Sequence, residues 1–205
     1  MRGQVKLSVG DYWEYEKGFR GTGARLISRF EISGTGKIEG VECFIFEWEE
    51  RAIGGNRLAG GRYWVETKTD RFARAERTFF DISGKMLQTE TFGRSELKNW
   101  GIKGHARVFG PLKIGKTWSW KHRKSRSQVS VTRREMVEVP AGKFDCYLIE
   151  TRVYENGLKF AFRSWYSTEL GIIVRSSSHD PKGREMGFTE LVRYLFSQKL
   201  TSDRS

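Results

Sequence analysis

Leu7-Ser8-Val9-Gly10-Asp11-Tyr12-Trp13-Glu14-Tyr15 returns 105 residues later as Leu112-Lys113-Ile114-Gly115-Lys116-Thr117-Trp118-Ser119-Trp120. The leucine, the β-branched residue, the glycine and the alternating aromatics keep their places, and reading for such self-similarity first decides the architecture. Working outward, Val41-Glu42-Cys43-Phe44-Ile45-Phe46-Glu47 returns as Phe144-Asp145-Cys146-Tyr147-Leu148-Ile149-Glu150 at an offset of 103. Tyr63-Trp64 aligns with Trp165-Tyr166 at 102, and Asp81-x-x-Gly84-Lys85 with Asp180-x-x-Gly183-Arg184 at 99. The order is kept while the offset shrinks between motifs, as a duplication looks after losses from loops. The expectation is two repeats, residues 1–100 and 101–205, forming one continuous structural unit.

Each repeat reads as six strands. In the first they lie near 11–16, 25–32, 38–50, 57–67, 70–80 and 85–92; in the second near 117–122, 128–139, 143–154, 158–166, 172–178 and 184–194. Asn156-Gly157 suits a type I′ hairpin, Gly54-Gly55-Asn56 a similar turn, and Val139-Pro140-Ala141-Gly142 carries proline where φ must be fixed. Gly34-Thr35-Gly36-Lys37 reads as a further turn between strands. Residues 95–102 fit a short helix between the repeats. Phe188, Leu191, Val192 and Leu195 also fit a helical period, but the counterpart at 85–92 is rich in threonine and lacks that period, so a strand is expected there. The fold class is all-β and antiparallel: a curved sheet or unclosed barrel, with a two-sheet sandwich as the alternative.

Composition agrees. Seven Trp, seven Tyr, fourteen Phe and 23 Gly beside three Pro suit aromatic strands joined by glycine turns. No stretch reaches the roughly 18 apolar residues of a membrane-spanning helix. The basic start, Met1 to Lys6, is not followed by an apolar segment of the signal-peptide kind, which leaves a cytoplasmic chain or one whose leader has been removed. Cys43 and Cys146 sit in apolar runs, as two buried thiols or as one bridge between the repeats.

The sharpest catalytic signal is Gly110-Pro111-Leu112-Lys113-Ile114-Gly115-Lys116-Thr117, which matches the phosphate-loop pattern. Such a loop opens a helix. Here an alternating, strand-like Trp118-Ser119-Trp120-Lys121-His122 follows, and the first repeat keeps the glycine without the Lys-Thr, so the recurring feature is the entry turn of a strand. Glu47, Glu49 and Glu50 lie along one strand, whereas a glycosidase pair opposes its carboxyls across a cleft. His105, His122 and His179 have no ligand spacing. No catalytic residue, metal site or cofactor is expected.

Net charge is +12, and residues 101–134 hold ten basic residues and no acidic one, while 1–100 carry 17 against 15 and 135–205 ten of each. Lys121, Arg123, Lys124, Arg126, Arg133 and Arg134 form the candidate anion-binding set, for nucleic acid or an anionic membrane face. A solvated hairpin is the plainer account, because no basic tip accompanies Trp13.

Val139-Pro140-Ala141-Gly142-Lys143-Phe144-Asp145-Cys146 and, further on, Trp165-Tyr166-Ser167-Thr168-Glu169-Leu170-Gly171-Ile172-Ile173-Val174 fit the pattern VPAGxFDC…WYxxxxGxV. In this the second repeat resembles a group of uncharacterised bacterial β-rich proteins, similar in turn to the lipoprotein-carrier superfamily typified by LolA. The resemblance implies an open, strongly curved antiparallel sheet whose concave side holds acyl chains. Its motifs are turns and strands, and they speak to fold rather than to function. Strands apolar on both faces, such as 41–48 and 158–166, point the same way. The leading expectation is a non-enzymatic binding or scaffold protein holding an apolar or lipid-like small molecule against Trp13, Trp48, Trp64, Trp118, Phe160, Phe162 and Trp165. Polyanion binding through the basic block at 103–134 is the alternative.

Overall fold

The computed structural model describes residues 7–69, 72–99, 112–122 and 125–197. The elements are β1 (Tyr12–Phe19), β2 (Arg25–Ile38), β3 (Val41–Ala52), β4 (Arg57–Glu66), β5 (Phe72–Phe80), β6 (Met86–Gly93), α1 (Arg94–Asn99), β7 (Thr117–His122), β8 (Ser125–Val139), β9 (Gly142–Glu155), β10 (Leu158–Ser167), β11 (Ile172–His179) and β12 (Glu185–Leu195). All twelve strands form one antiparallel sheet in the order β6-β5-β4-β3-β2-β1-β12-β11-β10-β9-β8-β7. β6 and β7 end it without pairing to each other, so the sheet is unclosed and a two-sheet sandwich does not form. The segment with mixed periodicity is strand β12, and the expected helix begins at Arg94.

Turn chemistry sets the hairpins, with one difference from expectation. Asn156 and Gly157 take φ of 49° and 78°, as a type I′ turn requires. Residues 34–37 do not turn, however. β2 runs through them to Ile38 and reverses at Glu39 and Gly40, whose φ are 52° and 80°. An irregularity between Ile32 and Gly34 takes up the glycine-rich stretch, so Gly36 pairs with Cys43.

The entry turns of β1 and β7 are built alike. Gly10 N–H donates to Ile32 O at 2.8 Å and Gly115 N–H to Val131 O at 2.8 Å, with glycine φ of 92° and 86°. Ile32 N–H returns a bond to Asp11 O, and Val131 N–H to Lys116 O, each 2.9 Å. The stretch resembling a phosphate loop is therefore a turn leading into a strand. Pairing also corrects the alignment of the later aromatics: Cys43 faces Glu66 and Cys146 faces Ser167, which makes Trp165 the counterpart of Trp64 at an offset of 101. One residue of register moves a side chain to the opposite face.

Tracing partners across the ladder defines two faces, one bearing Trp13 and the other Glu14. The sheet rolls so that they meet. Phe144 belongs to the Glu14 face, yet its ring lies 6.0 Å from that of Tyr194, which pairs with Trp13. Ala141 N–H donates to Leu191 O at 3.1 Å, and the Tyr15 hydroxyl, from β1, to Ile173 O on β11 at 2.7 Å. The tip of the β8–β9 hairpin thus folds over β12 and β1, and the principal core lies in the roll: Trp13, Ile32, Val137, Val139, Phe144, Cys146, Val174, Leu191 and Phe196. A second cluster joins Val129, Val131, Ile149 and Tyr166. α1 is seated on the Glu14 face by Arg94, 3.0 Å from buried Glu66, with Leu97 turned inward.

Candidate functional site

Alternation along β3 puts Phe44, Phe46 and Trp48 on the Trp13 face, and pairing adds Tyr63 from β4, Phe72 from β5 and Phe92 from β6. All six are half-buried. Trp48 stacks on Tyr63 with centroids 5.9 Å apart and planes 11° from parallel, and Tyr63 meets Phe72 edge-on at 5.5 Å. Burial raises the Tyr63 phenol, opposed by the Arg77 guanidinium. Both geometries are those aromatic rings prefer.

The seven expected lining residues do not share one surface. Trp13, Trp48, Trp118, Phe160 and Phe162 lie on the Trp13 face; Trp64 and Trp165 lie on the other. Trp13 is core, stacked at 5.9 Å on Phe30 and touching Phe46 and Phe196 at 6.1 and 6.0 Å. Trp64 lies under Arg74 at 5.2 Å. The Trp165 indole lies under Arg175 and donates to Glu135 at 2.7 Å. Arg133 and this indole together hold the Glu135 carboxyl below its usual range. Trp118 packs against the second cluster with Lys116 above its ring at 5.8 Å. Phe160 is half-buried and Phe162 is exposed. Phe44, Phe46, Tyr63, Phe72 and Phe92 were not anticipated. Period-2 spacing gives Phe44 and Phe46 once Trp48 is chosen, but the register of β4 is needed to prefer Tyr63 to its neighbour.

The Glu14 face of β2–β6 carries a cavity of about 470 Å³ of different character. Its walls combine the cross-strand row Glu31-Glu47-Arg62-Glu76 and the row that holds Arg29, Glu49, Thr78 and Thr89 with Trp48, Arg57 and Gly61. Arg62 bridges Glu47 at 3.0 Å, and Arg29 bridges Glu31 at 2.9 Å and Glu14 at 3.2 Å. Glu47 and Glu49 point into it, while Glu50 lies on the other face, accepting from Ser28 Oγ at 2.7 Å and pairing with Lys17. This is a largely polar, ion-paired groove, less suited to an apolar molecule than the aromatic row.

Four of the six expected anion-binding residues are described, two of them in acid pairs and two facing each other. Arg133 bridges Glu135 at 3.0 Å and Arg134 pairs with Asp145. Lys121 faces Arg126 across the β7–β8 ladder, while Arg123, Lys124 and much of the block at 103–134 lie outside the described residues. Both cysteines are free and buried; burial raises both thiols, Cys146 to about 12. No cluster of three or more His, Cys, Asp or Glu able to hold a metal forms among the described residues.

A family model described as DUF3108-like matches residues 122–191, the stretch that holds the VPAGxFDC…WYxxxxGxV pattern. No curated protein matches the chain. Among solved structures, a Bacteroides fragilis protein of YmcC-like fold, assigned as exported, aligns with a TM-score of 0.50 at 12% identity, covering 94% of this chain and 98% of its own. A Parabacteroides distasonis protein assigned as a lipoprotein aligns at 0.47 and 11% identity over 95% and 100% of the two chains. The hypothetical lipoprotein YmcC of Escherichia coli aligns at 0.42 and 11% over 89% and 84%. The chain thus has the YmcC-like fold, and its DUF3108-like segment occupies the run from the end of β7 into β12.

Proposed function

We propose that this chain is a non-enzymatic binding or scaffold protein that holds an apolar, lipid-like molecule on the Trp13 face of β3–β6. One observation carries the reading: Phe44, Phe46, Trp48, Tyr63, Phe72 and Phe92 form a continuous row of half-buried side chains across four adjacent strands. Covering such a row removes apolar area from water at about 25 cal/mol per Å², and each methylene of a guest adds about 0.8 kcal/mol. At about 4.8 Å per strand the row is long enough for an extended alkyl chain. Of the originally expected residues, Trp48 belongs to this surface, with Phe160 and Phe162 on the same face further along the sheet. The fold neighbour from Bacteroides fragilis is assigned as exported, and an extracytoplasmic location for this chain suits lipid handling. No helix among the described residues is long and apolar enough to cross a membrane.

Organic extraction of purified protein, followed by mass spectrometry, tests the reading. An acyl-chain lipid should be recovered from the parent and lost from Trp48→Ala/Tyr63→Ala, with both proteins folded. Recovery of no lipid from the parent, or equal recovery from both, removes the proposal.

A further inference from the structure

Pairing the strands assembles a cationic surface that no linear stretch of sequence contains. On the Glu14 face of β7–β10, Lys121 faces Arg126, Arg126 faces Tyr154, and Tyr154 faces Lys159. The adjoining row reads Ser119, Gln128, Arg152, Ala161. Lys121, Arg126, Arg152 and Lys159 are all exposed, and none has a carboxylate partner among the described residues. The next row adds Arg163, 3.4 Å from Glu150. Like charges directly opposite on a ladder are destabilising, so Lys121 against Arg126 costs stability in the free protein. The fold does not demand this charge: the counterpart of Arg152, 103 residues earlier, is Glu49. Tyr154, on the same face as the cations, is 38% exposed, and Leu158, which precedes Lys159 at the β9–β10 tip and alternates onto the Trp13 face, is 50% exposed.

We propose that this surface docks the protein on an anionic lipid membrane, with Lys121, Arg126, Arg152 and Lys159 against the headgroups and Tyr154 and Leu158 entering the interfacial layer. Exposed aromatic and aliphatic side chains next to cations are suited to that layer, and a cationic cluster gains affinity from anionic lipid. Single-stranded nucleic acid is less well served, because the rows hold one aromatic ring where stacking needs several in succession. The four cations belong to β7–β10 and the ligand row to β3–β6, so the two proposals rest on different residues.

Co-sedimentation with phosphatidylcholine vesicles, with and without phosphatidylglycerol, tests the proposal. Binding is expected to the anionic vesicles alone and to fall with salt. Arg152→Ser/Lys159→Ser should weaken partition about 25-fold, at roughly fivefold per cation, while Lys182→Ser, an exposed cation on the β11–β12 turn, should leave it unchanged. Leu158→Ser should also weaken vesicle binding and leave heparin retention as in the parent. Equal binding to neutral vesicles, the same loss from the Lys182 control, or unchanged partition in the double variant would overturn it. So would tighter binding to single-stranded DNA that is indifferent to Leu158→Ser, an outcome that assigns the cations to nucleic acid instead.

Discussion

Asp11 has no solvent exposure, and its carboxylate is fully engaged: Oδ2 accepts from Ser8 N–H at 2.8 Å, and Oδ1 from the Ser197 N–H and hydroxyl at 2.7 and 2.8 Å. It ties the segment after β12 to the entry turn of β1 and so holds Phe196 against Trp13. Asp11→Ala would remove the acceptor shared by half-buried Ser8 and exposed Ser197, whose donors water can partly satisfy, at a total cost of about 1–3 kcal/mol. Denaturant unfolding should register that loss, and hydrogen exchange at Ser197 should quicken. Cys146 makes a second test at this scale. Its thiol is raised from 9.0 to about 12 by burial, with Asp145 and Glu135 contributing, so it keeps its proton in the folded state after the unfolded state has lost it. The stability this provides is complete below pH about 9 and declines as pH rises through about 12. Native Cys146 should resist alkylation at pH 8 and react once denaturant is added; prompt native labelling would show that the thiol is accessible. The bonds from Ser197 to Asp11 were not legible in the sequence, because the two residues are 186 positions apart.

Among the elements, strand count and most turns were legible, since glycine, asparagine and proline mark reversals by their own backbone chemistry. Strand faces were not. Irregularities in pairing between Ile32 and Gly34, Val131 and Arg133, and Trp165 and Tyr166 each shift the alternation locally. In β4 the alternation alone cannot choose between Tyr63 and Trp64; pairing with Phe46 puts Tyr63 on the aromatic face, and pairing with Ile45 puts Trp64 on the other. Glycines in β4 and β2 show the same dependence on neighbours. A Cβ on Gly61 would stand 1.9 Å from the Glu76 carbonyl oxygen, whereas one on Gly34 would meet nothing within 4 Å. Gly61→Ala should therefore destabilise by about 3 kcal/mol or more through forced separation of β4 and β5, and Gly34→Ala should be near neutral. Thermal melts of the two variants check this, and a Gly61→Ala midpoint equal to that of the parent would contradict the pairing described.

For the whole molecule, we read residues 1–100 and 101–205 as repeats of one unit acting as a single structure. Support comes from the matching entry turns at Gly10 and Gly115 and from ion pairs at equivalent sites, Arg62 with Glu47 and Arg163 with Glu150. Rolling makes the halves unlike. The tip of the β8–β9 hairpin covers the Trp13 face of β1 and β12, whereas the aromatic side chains on the same face of β3–β6 are half-buried. Sequence repetition could reveal the unit but not this asymmetry, which arises from contacts between the halves. Ligand binding on the half-buried aromatic row is the central claim, and titration of delipidated protein with a fluorescent fatty-acid probe tests it most directly. The parent should bind saturably and release the probe to unlabelled fatty acid, and Trp48→Ala/Tyr63→Ala should bind at least tenfold more weakly with an intact fold. An absence of saturable binding in the parent, or equal affinity in the variant, would contradict it.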